Sequence, residues 1–527
     1  MFVVKRTVTT TTTTTTSTLI SGLTGAATAK RFISQSQPLS APASSSVYDE
    51  LRRKRDRKGL VNLAKEEDEE TAMFPNQRQG VDYALNWTLN SYSVTPSSFA
   101  YRNPSVKLLV QHSDVKKEST GAYSYQAGAE VKPINYYLDE QSATLNASEG
   151  AAGSTITVAQ YKALLNEVKN HIGDSTNIYV HDGAVGSHQA CEGKIRAITN
   201  CAQTALFLEH LLPSTVPTAV KEFKHSMTLY VAPQLQLSAE QQAKCGLRSG
   251  AFNIIDVKRG IAVIGGVQST DNIRRALTAI SQPTMLNERQ GVTLSAADIY
   301  QTRDNKTMLI FSADNYLLNK RFESGKVVAQ GSLWNKDGLF RLFDSISYPL
   351  ESAAKNQFDL IERFTSPKRV VSIVPVEQST NIYSNPSSIV FLVRDTKGII
   401  PAFAELSPEQ AQQYFAAGYN GDSFTPYYSS ESITVSPKSK AELFKKLVQD
   451  NSINVYIVNT LSFQKEADVD KLLSVISSGK VNKSSKSDIY KTLSPIKLSE
   501  TKVSEVDKNK VKEFESNFET FVAKLLQ

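Results

Sequence analysis

The stretch from Ile389 to Tyr419 constrains the fold most strongly, because it predicts a strand, a turn and a helix in order. Ile389–Val393 is an apolar run of strand length with turn-forming residues on both sides. A second short apolar run ends at Pro401. Ser407 is a candidate helix N-cap, followed at once by proline and three residues later by glutamine, and Gly418 closes the helix. The stretch predicts strand, turn, short strand and capped helix.

The composition is that of a globular protein. The 527 residues are enough for two or three domains, with 40% hydrophobic and 21% charged residues. No apolar run reaches the roughly 18 residues that a transmembrane helix needs. The three cysteines form no C-x-x-C pair, and their odd number argues against a disulfide framework and fits a reducing compartment. They are Cys191, Cys201 and Cys245.

Residues 1–33 are predicted to be a mitochondrial transit peptide. The first acidic residue of the chain is Asp49, and the segment before it is rich in threonine and serine. Arg31–Ser34 resembles the cleavage context of a matrix protease. A disordered tail is the alternative interpretation. Four basic residues here account for more than half of the formal net charge of +7, so the overall basicity says little about nucleic acid. The predicted location is the mitochondrion, in the matrix.

Residues 34–75 are predicted to be a charged arm, either disordered or helical. A basic block precedes the acidic block Glu66–Glu70, and two such blocks can pair with each other in a solvated helix. The alternative is that the basic block contacts RNA or an acidic surface of a protein partner. The basic block consists of Arg52, Arg53, Lys54 and Arg55.

From about Phe74 onwards, helical and strand periodicities alternate, which predicts an α/β fold. A loop is predicted at Asp182–Gly193, and no repeat with a period of about 20–50 residues is present. The predicted helices are Thr157–His171, Ala202–Leu212, Asp271–Ile280 and Lys510–Leu526. The predicted strands are Asn177–Val180, Lys194–Thr199, Met227–Ala232, Ala251–Asp256, Ile261–Ile264, Met308–Phe311 and Asn454–Val458.

Two groups of residues suggest other chemistry. Five potential ligands in the predicted loop could form a metal cluster, although their spacing matches no metal site known to us, and a polar surface loop is the alternative. Ser295 with a distant histidine and aspartate could form a hydrolytic triad, but no Gly-x-Ser-x-Gly elbow surrounds it. The potential ligands are His181, Asp182, His188, Cys191 and Glu192.

Several segments resemble, in order, the ATP-dependent phosphoenolpyruvate carboxykinases. The helix opening at Ser407 resembles the family segment LTPEQ, and the matches are collinear from about Arg102 to the C-terminus. The resemblance implies an α/β, two-domain carboxykinase-like architecture with mixed sheets. It implies an N-terminal domain at 76–285 and a degenerate nucleotide-binding domain with a terminal helix at 286–527. The segments that carry it are Ala262–Gly266, Ile399–Pro401, Ser407–Gln410, Ala416–Tyr419, Ile457–Thr460 and Asp488–Pro495.

The same resemblance implies sites for ATP, magnesium and manganese, and five of the family's site positions are degenerate here. The lysine pair of the family's metal site falls on Arg274 and Arg275, and its histidine falls at or beside Ser295. The two aspartates of its magnesium motif fall on Ala329 and Gln330. Arginine has no lone pair for a metal, and neither alanine nor glutamine is a carboxylate. None of the five is expected to be catalytic or to bind cofactor or metal.

The phosphate loop of the family is also altered. It follows the strand that corresponds to Met308–Phe311, where this chain continues with Ser312–Arg321. No glycine occurs between Gly291 and Gly325, whereas a phosphate loop needs glycines for close backbone approach. The resemblance therefore implies a retained fold that is expected to bind no ATP, magnesium or manganese.

We therefore expect a catalytically inactive carboxykinase-like protein, a pseudoenzyme that serves as a structural subunit or scaffold in a mitochondrial assembly. Its expected partners are the protein subunits of that assembly. Two alternatives stay open. One is a residual ATP-dependent carboxykinase, converting oxaloacetate and ATP to phosphoenolpyruvate, CO2 and ADP. The other is an anion-binding or nucleotide-binding regulator that uses Arg274 and Arg275.

Overall fold

The structure is a computed structural model, and all the residues it describes belong to one compact unit, Leu51–Gln527. The predicted transit peptide, the basic block of the arm and residues 313–321 lie outside the described residues, as do His188, Cys191 and Glu192. The described residues are 72–73, 89, 92–117, 123–127, 133–138, 154–186, 193–212, 227–312, 322–349, 360–365, 368–375, 382–419, 421, 423–428, 434–481, 490, 492–496, 498 and 507–527.

The helices of the described residues include all four that the periodicity predicts, and short 3-10 turns occur at Pro426–Tyr428 and Thr460–Ser462. The helices are α1 Val106–Gln111, α2 Val158–Gly173, α3 Ala202–Leu211, α4 Ala239–Lys244, α5 Thr270–Asn287, α6 Pro408–Ala417, α7 Pro437–Asp450, α8 Glu466–Ser478 and α9 Lys508–Leu526.

The strands are β1 Ala72–Met73, β2 Phe99–Arg102, β3 Lys116–Lys117, β4 Tyr123–Ala127, β5 Ile134–Leu138, β6 Ser154–Ile156, β7 Asn177–Val185, β8 Gly193–Thr199, β9 Met227–Ala232, β10 Phe252–Asp256, β11 Ile261–Gly265, β12 Val292–Leu294 and β13 Ala297–Thr302. They continue with β14 Thr307–Ser312, β15 Gly325–Ala329, β16 Ser332–Asn335, β17 Gly338–Arg341, β18 Ser345–Pro349, β19 Leu360–Thr365, β20 Lys368–Pro375, β21 Ile382–Tyr383, β22 Ser388–Val393, β23 Phe403–Leu406, β24 Asn454–Asn459 and β25 Ser494–Pro495.

In the described residues, mixed sheets form the architecture, as the sequence predicts. A nine-stranded sheet has the order β1-β2-β7-β8-β9-β11-β10-β5-β6, and a seven-stranded sheet has the order β15-β13-β14-β22-β24-β23-β25. A four-stranded sheet, β12-β16-β17-β21, and a five-stranded sheet, β18-β19-β20-β4-β3, accompany them. The domain boundaries at 76–285 and 286–527 stay a prediction, and β4 and β20 pair across that boundary.

Helices cover both faces of the nine-stranded sheet, so its strands are apolar on both sides. Val263 packs in one buried cluster with Leu164 of α2. Its neighbour Ile264 packs in another with Phe207 of α3 and Ile273 of α5. Successive side chains of a strand point to opposite faces, which separates the two clusters. This sandwich fixes α5, the helix that carries two of the degenerate site positions.

The predicted cap of α6 is confirmed. The Ser407 hydroxyl accepts a hydrogen bond from the Gln410 N–H at 3.2 Å, and the Gln410 side chain accepts one from the Ser407 N–H at 2.8 Å. This capping box, with Pro408 in the first turn, fixes where the helix begins. At the other end Gly418 has a φ of 56°, and a Cβ there would lie 1.8 Å from the Thr425 carbonyl oxygen. Only glycine fits this position.

Helix α5 extends seven residues beyond the predicted end at Ile280, despite a proline inside it. Pro283 has no N–H to donate to the carbonyl four residues earlier, which is that of Ala279. The Thr434 hydroxyl donates to that carbonyl oxygen instead, at 2.6 Å. A residue distant in sequence thus satisfies the group that the proline leaves free. Sequence periodicity carries no such information.

Two predicted assignments are wrong, one of a loop and one of a short strand. The predicted loop beginning at Asp182 is a strand as far as Val185, because β7 continues its antiparallel pairing with β8 and sets Asp182 opposite Arg196. The short strand predicted before Pro401 is a turn, and the strand that follows, β23, begins only at Phe403. β23 pairs with β24, a partner more than fifty residues away, so local sequence could not fix its start.

Candidate functional site

The positions predicted to be degenerate lie around the N-terminal part of α5. The helix begins at a Ser269 cap, whose hydroxyl accepts a hydrogen bond from the Asn272 N–H at 3.4 Å. The face with Ile273 and Leu277 is buried. Arg274 and Arg275 lie beside this face and are only partly exposed. The local sequence therefore places two guanidinium groups at the edge of the packed core.

The structure brings Arg274 and Gln330 together although 56 residues separate them. The Arg274 guanidinium donates a short hydrogen bond to the Gln330 side-chain oxygen, and its second nitrogen lies 3.4 Å from the Gln330 carbonyl oxygen. The guanidinium carbon is 5.2 Å from the centre of the Phe343 ring, a cation–π distance. A guanidinium thus lies against the glutamine that occupies the predicted magnesium-ligand position.

Arg275 is engaged differently from its neighbour. Its Nη2 lies 2.5 Å from a carboxylate oxygen of Asp271, one turn earlier in the same helix. The two side chains are 38% and 51% exposed, so solvent screens the pair. The two arginines therefore do not form a joint anion site in this arrangement, because they face different partners.

Ser295 and Ala329 border the same region. Ala329 is fully buried at the end of β15 and pairs with Ile299 of β13. Gly331, with a φ of 77°, brings the chain against the turn at Ser295: a Cβ on this glycine would lie 3.4 Å from the Ser295 carbonyl oxygen. Ser295 is half-buried. The five predicted positions, except for the outward-paired Arg275, thus surround one small region.

Asp298 is a member of this region that sequence reasoning missed. It lies on β13, is only 5% exposed, and burial raises the pKa of its carboxyl group to about 7, while the Arg274 guanidinium acts to lower it. The signal in the sequence was an acidic residue between the apolar residues Ala297 and Ile299.

A divalent metal ion does not fit the donor set of this region. Asp298 offers a carboxylate and Gln330 an amide oxygen, but the Arg274 guanidinium is bonded to that oxygen and repels a second cation. Elsewhere in the part of the chain that the structure describes, no three histidine, cysteine, aspartate or glutamate side chains group together in a way that could hold a metal. The positive charge in this region is that of the Arg274 guanidinium.

The carboxyl ends of the parallel strands β14, β22 and β24 form the edge where ligands bind in open α/β sheets. Asp395 follows β22, and one oxygen of its carboxylate accepts hydrogen bonds from the N–H groups of Ile399 and Ile400, both at 2.5 Å. The Asn459 side chain accepts the Asp395 N–H at 3.2 Å and donates to the Ile400 carbonyl at 3.3 Å. These polar groups therefore hydrogen-bond to the backbone of the turn that follows β22.

Of the five residues of the suggested metal cluster, the two that the structure describes, His181 and Asp182, form separate ion pairs. His181 Nδ1 lies 2.8 Å from a Glu209 carboxylate oxygen of α3. Burial alone would lower the pKa of His181, but the Glu209 carboxylate overcomes this and raises it. Asp182 instead binds Arg102 and Arg196, at 2.6 Å each. Histidine and aspartate therefore face different partners, and the expectation of a polar surface loop is wrong at these two buried residues.

A family model described as phosphoenolpyruvate carboxykinase, of the ATP-dependent type, matches residues 99–312 and 362–483, which is more than half of the chain. The chain therefore belongs to the ATP-dependent phosphoenolpyruvate carboxykinase family, as the resemblance predicts. The match is interrupted at residues 313–361. The interruption contains Ala329 and Gln330 and the segment where the family's phosphate loop was expected.

Bacterial carboxykinases are among the similar proteins. Phosphoenolpyruvate carboxykinase (ATP) 2 of Moorella thermoacetica is 22% identical over 410 residues, which cover 68% of this chain and 77% of the relative. Phosphoenolpyruvate carboxykinase (ATP) of Caldanaerobacter subterraneus is 21% identical over 411 residues, with 68% and 78% covered. The enzyme of the same name from Staphylococcus aureus strain Newman is 21% identical over 388 residues, with 65% and 71% covered.

Proposed function

We propose that this chain is a non-catalytic member of the carboxykinase family and acts as a structural subunit or scaffold in a mitochondrial assembly. The observation that carries the proposal is the hydrogen bond from Arg274 to Gln330. The resemblance assigns metal ligands to both positions, and here a fixed positive charge occupies one and a neutral amide the other. Arginine has no lone pair with which to bind a metal, and the amide oxygen of Gln330, already bonded to that arginine, carries no negative charge.

The segment after β14 supports the same proposal. The sequence has no glycine between Gly291 and Gly325, and the family match stops at Ser312. ATP-dependent phosphoryl transfer depends on close backbone contacts and metal ions at the phosphates. Without them the chain is expected to bind neither ATP nor magnesium nor manganese. What the family match retains is the framework of sheets and helices.

Two other functions compete with the scaffold. A residual carboxykinase, acting on oxaloacetate and ATP, is supported by family membership, and the names of the bacterial relatives carry that activity. A regulator that binds anions through Arg274 and Arg275 would need both guanidinium groups to turn towards one ligand. Their contacts with Gln330 and Asp271 favour the scaffold over the regulator.

The location and partners belong to the same proposal. The acid-free, hydroxyl-rich segment 1–33 supports import into the mitochondrial matrix. In the arm at 34–75, a basic block would suit contact with RNA or with an acidic protein surface inside a larger assembly. That block is Arg52, Arg53, Lys54 and Arg55. In the described residues no helix is long and apolar enough to cross a bilayer.

Purification of the full chain, tagged at its C-terminus, from isolated mitochondria tests the scaffold role. We expect it to co-sediment with a defined set of proteins in a particle much larger than the chain itself, and its mature N-terminus to lie near Ser34. Changing the four basic residues Arg52–Arg55 to serine tests whether the charged arm contacts a partner. Nuclease treatment of a parallel sample tests whether that partner is RNA. A protein that sediments as a free chain and begins at Met1 in the cytosol would contradict the proposal.

A further inference from the structure

Helix α5 lies between the nine-stranded sheet and the four-stranded sheet. Its buried residues Ile273 and Leu277 pack in one cluster with Ile264 of the nine-stranded sheet. The same cluster contains Phe340 of β17 and Phe343, which belong to the four-stranded sheet and the chain after it. The helix therefore packs against both sheets, and contacts that hold it in place also hold the two sheets relative to each other.

Arg274 is the charged link at this boundary. Its backbone belongs to α5, while the partners of its guanidinium follow strands of two other sheets: Gln330 follows β15, and Phe343 comes after β17. Asp298 of β13 adds a carboxyl group whose charged form the guanidinium favours. One side chain thus interacts with a residue of β13 and with residues that follow two other strands, none of which belongs to the nine-stranded sheet.

Uncharged contacts run along the same boundary. The Gly186 N–H donates to the Leu342 carbonyl oxygen at 2.9 Å, and the Asp344 N–H donates to the Leu211 carbonyl oxygen at 2.8 Å. We call these two bonds, the bond from Thr434 to α5 and the contacts of Arg274 together the seam. Each backbone bond joins one donor to one acceptor, whereas the planar end of the Arg274 side chain contacts several partners at once.

We propose that Arg274 acts as a clamp that holds helix α5 against the strand ends at Gln330 and Phe343, and so keeps this seam closed. The proposal goes beyond the scaffold role and does not depend on it, since a clamp would restrict an active enzyme equally. Arginine suits the task better than lysine, because its planar fork can bond twice to Gln330 and lie over an aromatic ring.

Amide hydrogen exchange of three full-length variants tests the clamp. Arg274→Gln removes the charge, Arg274→Lys keeps the charge without the fork, and Arg275→Gln is the matched control on the same helix. We expect Arg274→Gln to raise exchange in residues 270–287, 292–302 and 325–343 by about tenfold or more, given what charged hydrogen bonds contribute. Arg274→Lys should give a smaller rise in the same segments, and Arg275→Gln none above about twofold.

Two results would overturn the clamp. One is an equal response of Arg274→Gln and Arg275→Gln in the seam. The other is a rise in Arg274→Gln that is as large in residues 388–393 and 454–459, the centre of the seven-stranded sheet, because that would mean general destabilisation. If Arg274→Gln does not give folded protein, Arg274→Lys decides the matter: a rise confined to the seam supports the clamp, and no rise overturns it.

Discussion

Replacing Asp182 with asparagine is expected to destabilise the protein by about 3–5 kcal/mol, the usual cost of leaving a buried charge without its counter-ion. The Asp182 carboxylate bonds Arg102 and Arg196, whose side chains are 1% and 0% exposed. Burial raises the pKa of Asp182, but the arginines, Arg196 foremost, lower it below its ordinary value. The variant leaves two buried guanidinium groups facing a neutral amide.

Urea unfolding measures this effect, and Asp271→Asn is its control. Asp271 also pairs with an arginine, but on the exposed surface of α5, where such a pair contributes about 0.2–1 kcal/mol. The losses in free energy of unfolding, relative to the native protein, should therefore differ several-fold between the two variants. Similar losses in both would mean that the buried ion pairs contribute no more than a surface pair does.

Replacing Asp298 with asparagine is expected to change how stability depends on pH. In the folded protein the pKa of this carboxyl is about 7, against an ordinary 3.8. Between about pH 4 and 7 the unfolded chain therefore gives up this proton before the folded protein does, and the folded state loses stability as pH rises. The loss is complete above about pH 7 and amounts to roughly 4 kcal/mol at most, at about 1.4 kcal/mol per pKa unit.

Asparagine resembles the protonated carboxyl and does not titrate, so Asp298→Asn should lack this decline. At pH 8 the variant should be more stable than the native protein by up to that maximum, which already includes the attraction between Arg274 and the charged Asp298. At pH 4.5, where this aspartate is already mostly ionised in the unfolded chain, the difference should be about 1 kcal/mol. Free energies of unfolding at four or five pH values measure the slope, with Asp271→Asn as a control. An unchanged slope would contradict a raised pKa at Asp298.

Local signals made the α6 region predictable. Strand length, the Ser407 cap and the closing Gly418 all act within a few residues, and each is confirmed in the structure. The turn before it was not predictable in the same way. Ile399 and Ile400 have strand composition, yet their N–H groups bind the Asp395 carboxylate rather than a neighbouring strand. A side chain that outcompetes a strand partner leaves no periodicity in the sequence.

The candidate site was predictable only as far as its residues could be matched to a family. That match selected Arg274 and Gln330, and the structure brings them together. It gave no sign that they bond to each other, because contact between residues 56 positions apart depends on how α5 and β15 pack. Asp298 and the buried role of Asp182 were missed for the same reason: a charged residue in a strand is tolerated only through partners from other elements.

The melting temperature of the protein in millimolar MgATP, with and without manganese and oxaloacetate, tests the loss of the nucleotide site most directly. A ligand at about a hundred times its Kd stabilises the folded state by about 2.7 kcal/mol. In a domain of 150–250 residues each kcal/mol raises Tm by roughly 2–4 °C, and the shift stays measurable in a larger chain. We predict no shift in any of these mixtures. A reproducible rise with MgATP that equimolar magnesium sulfate does not produce would contradict the account.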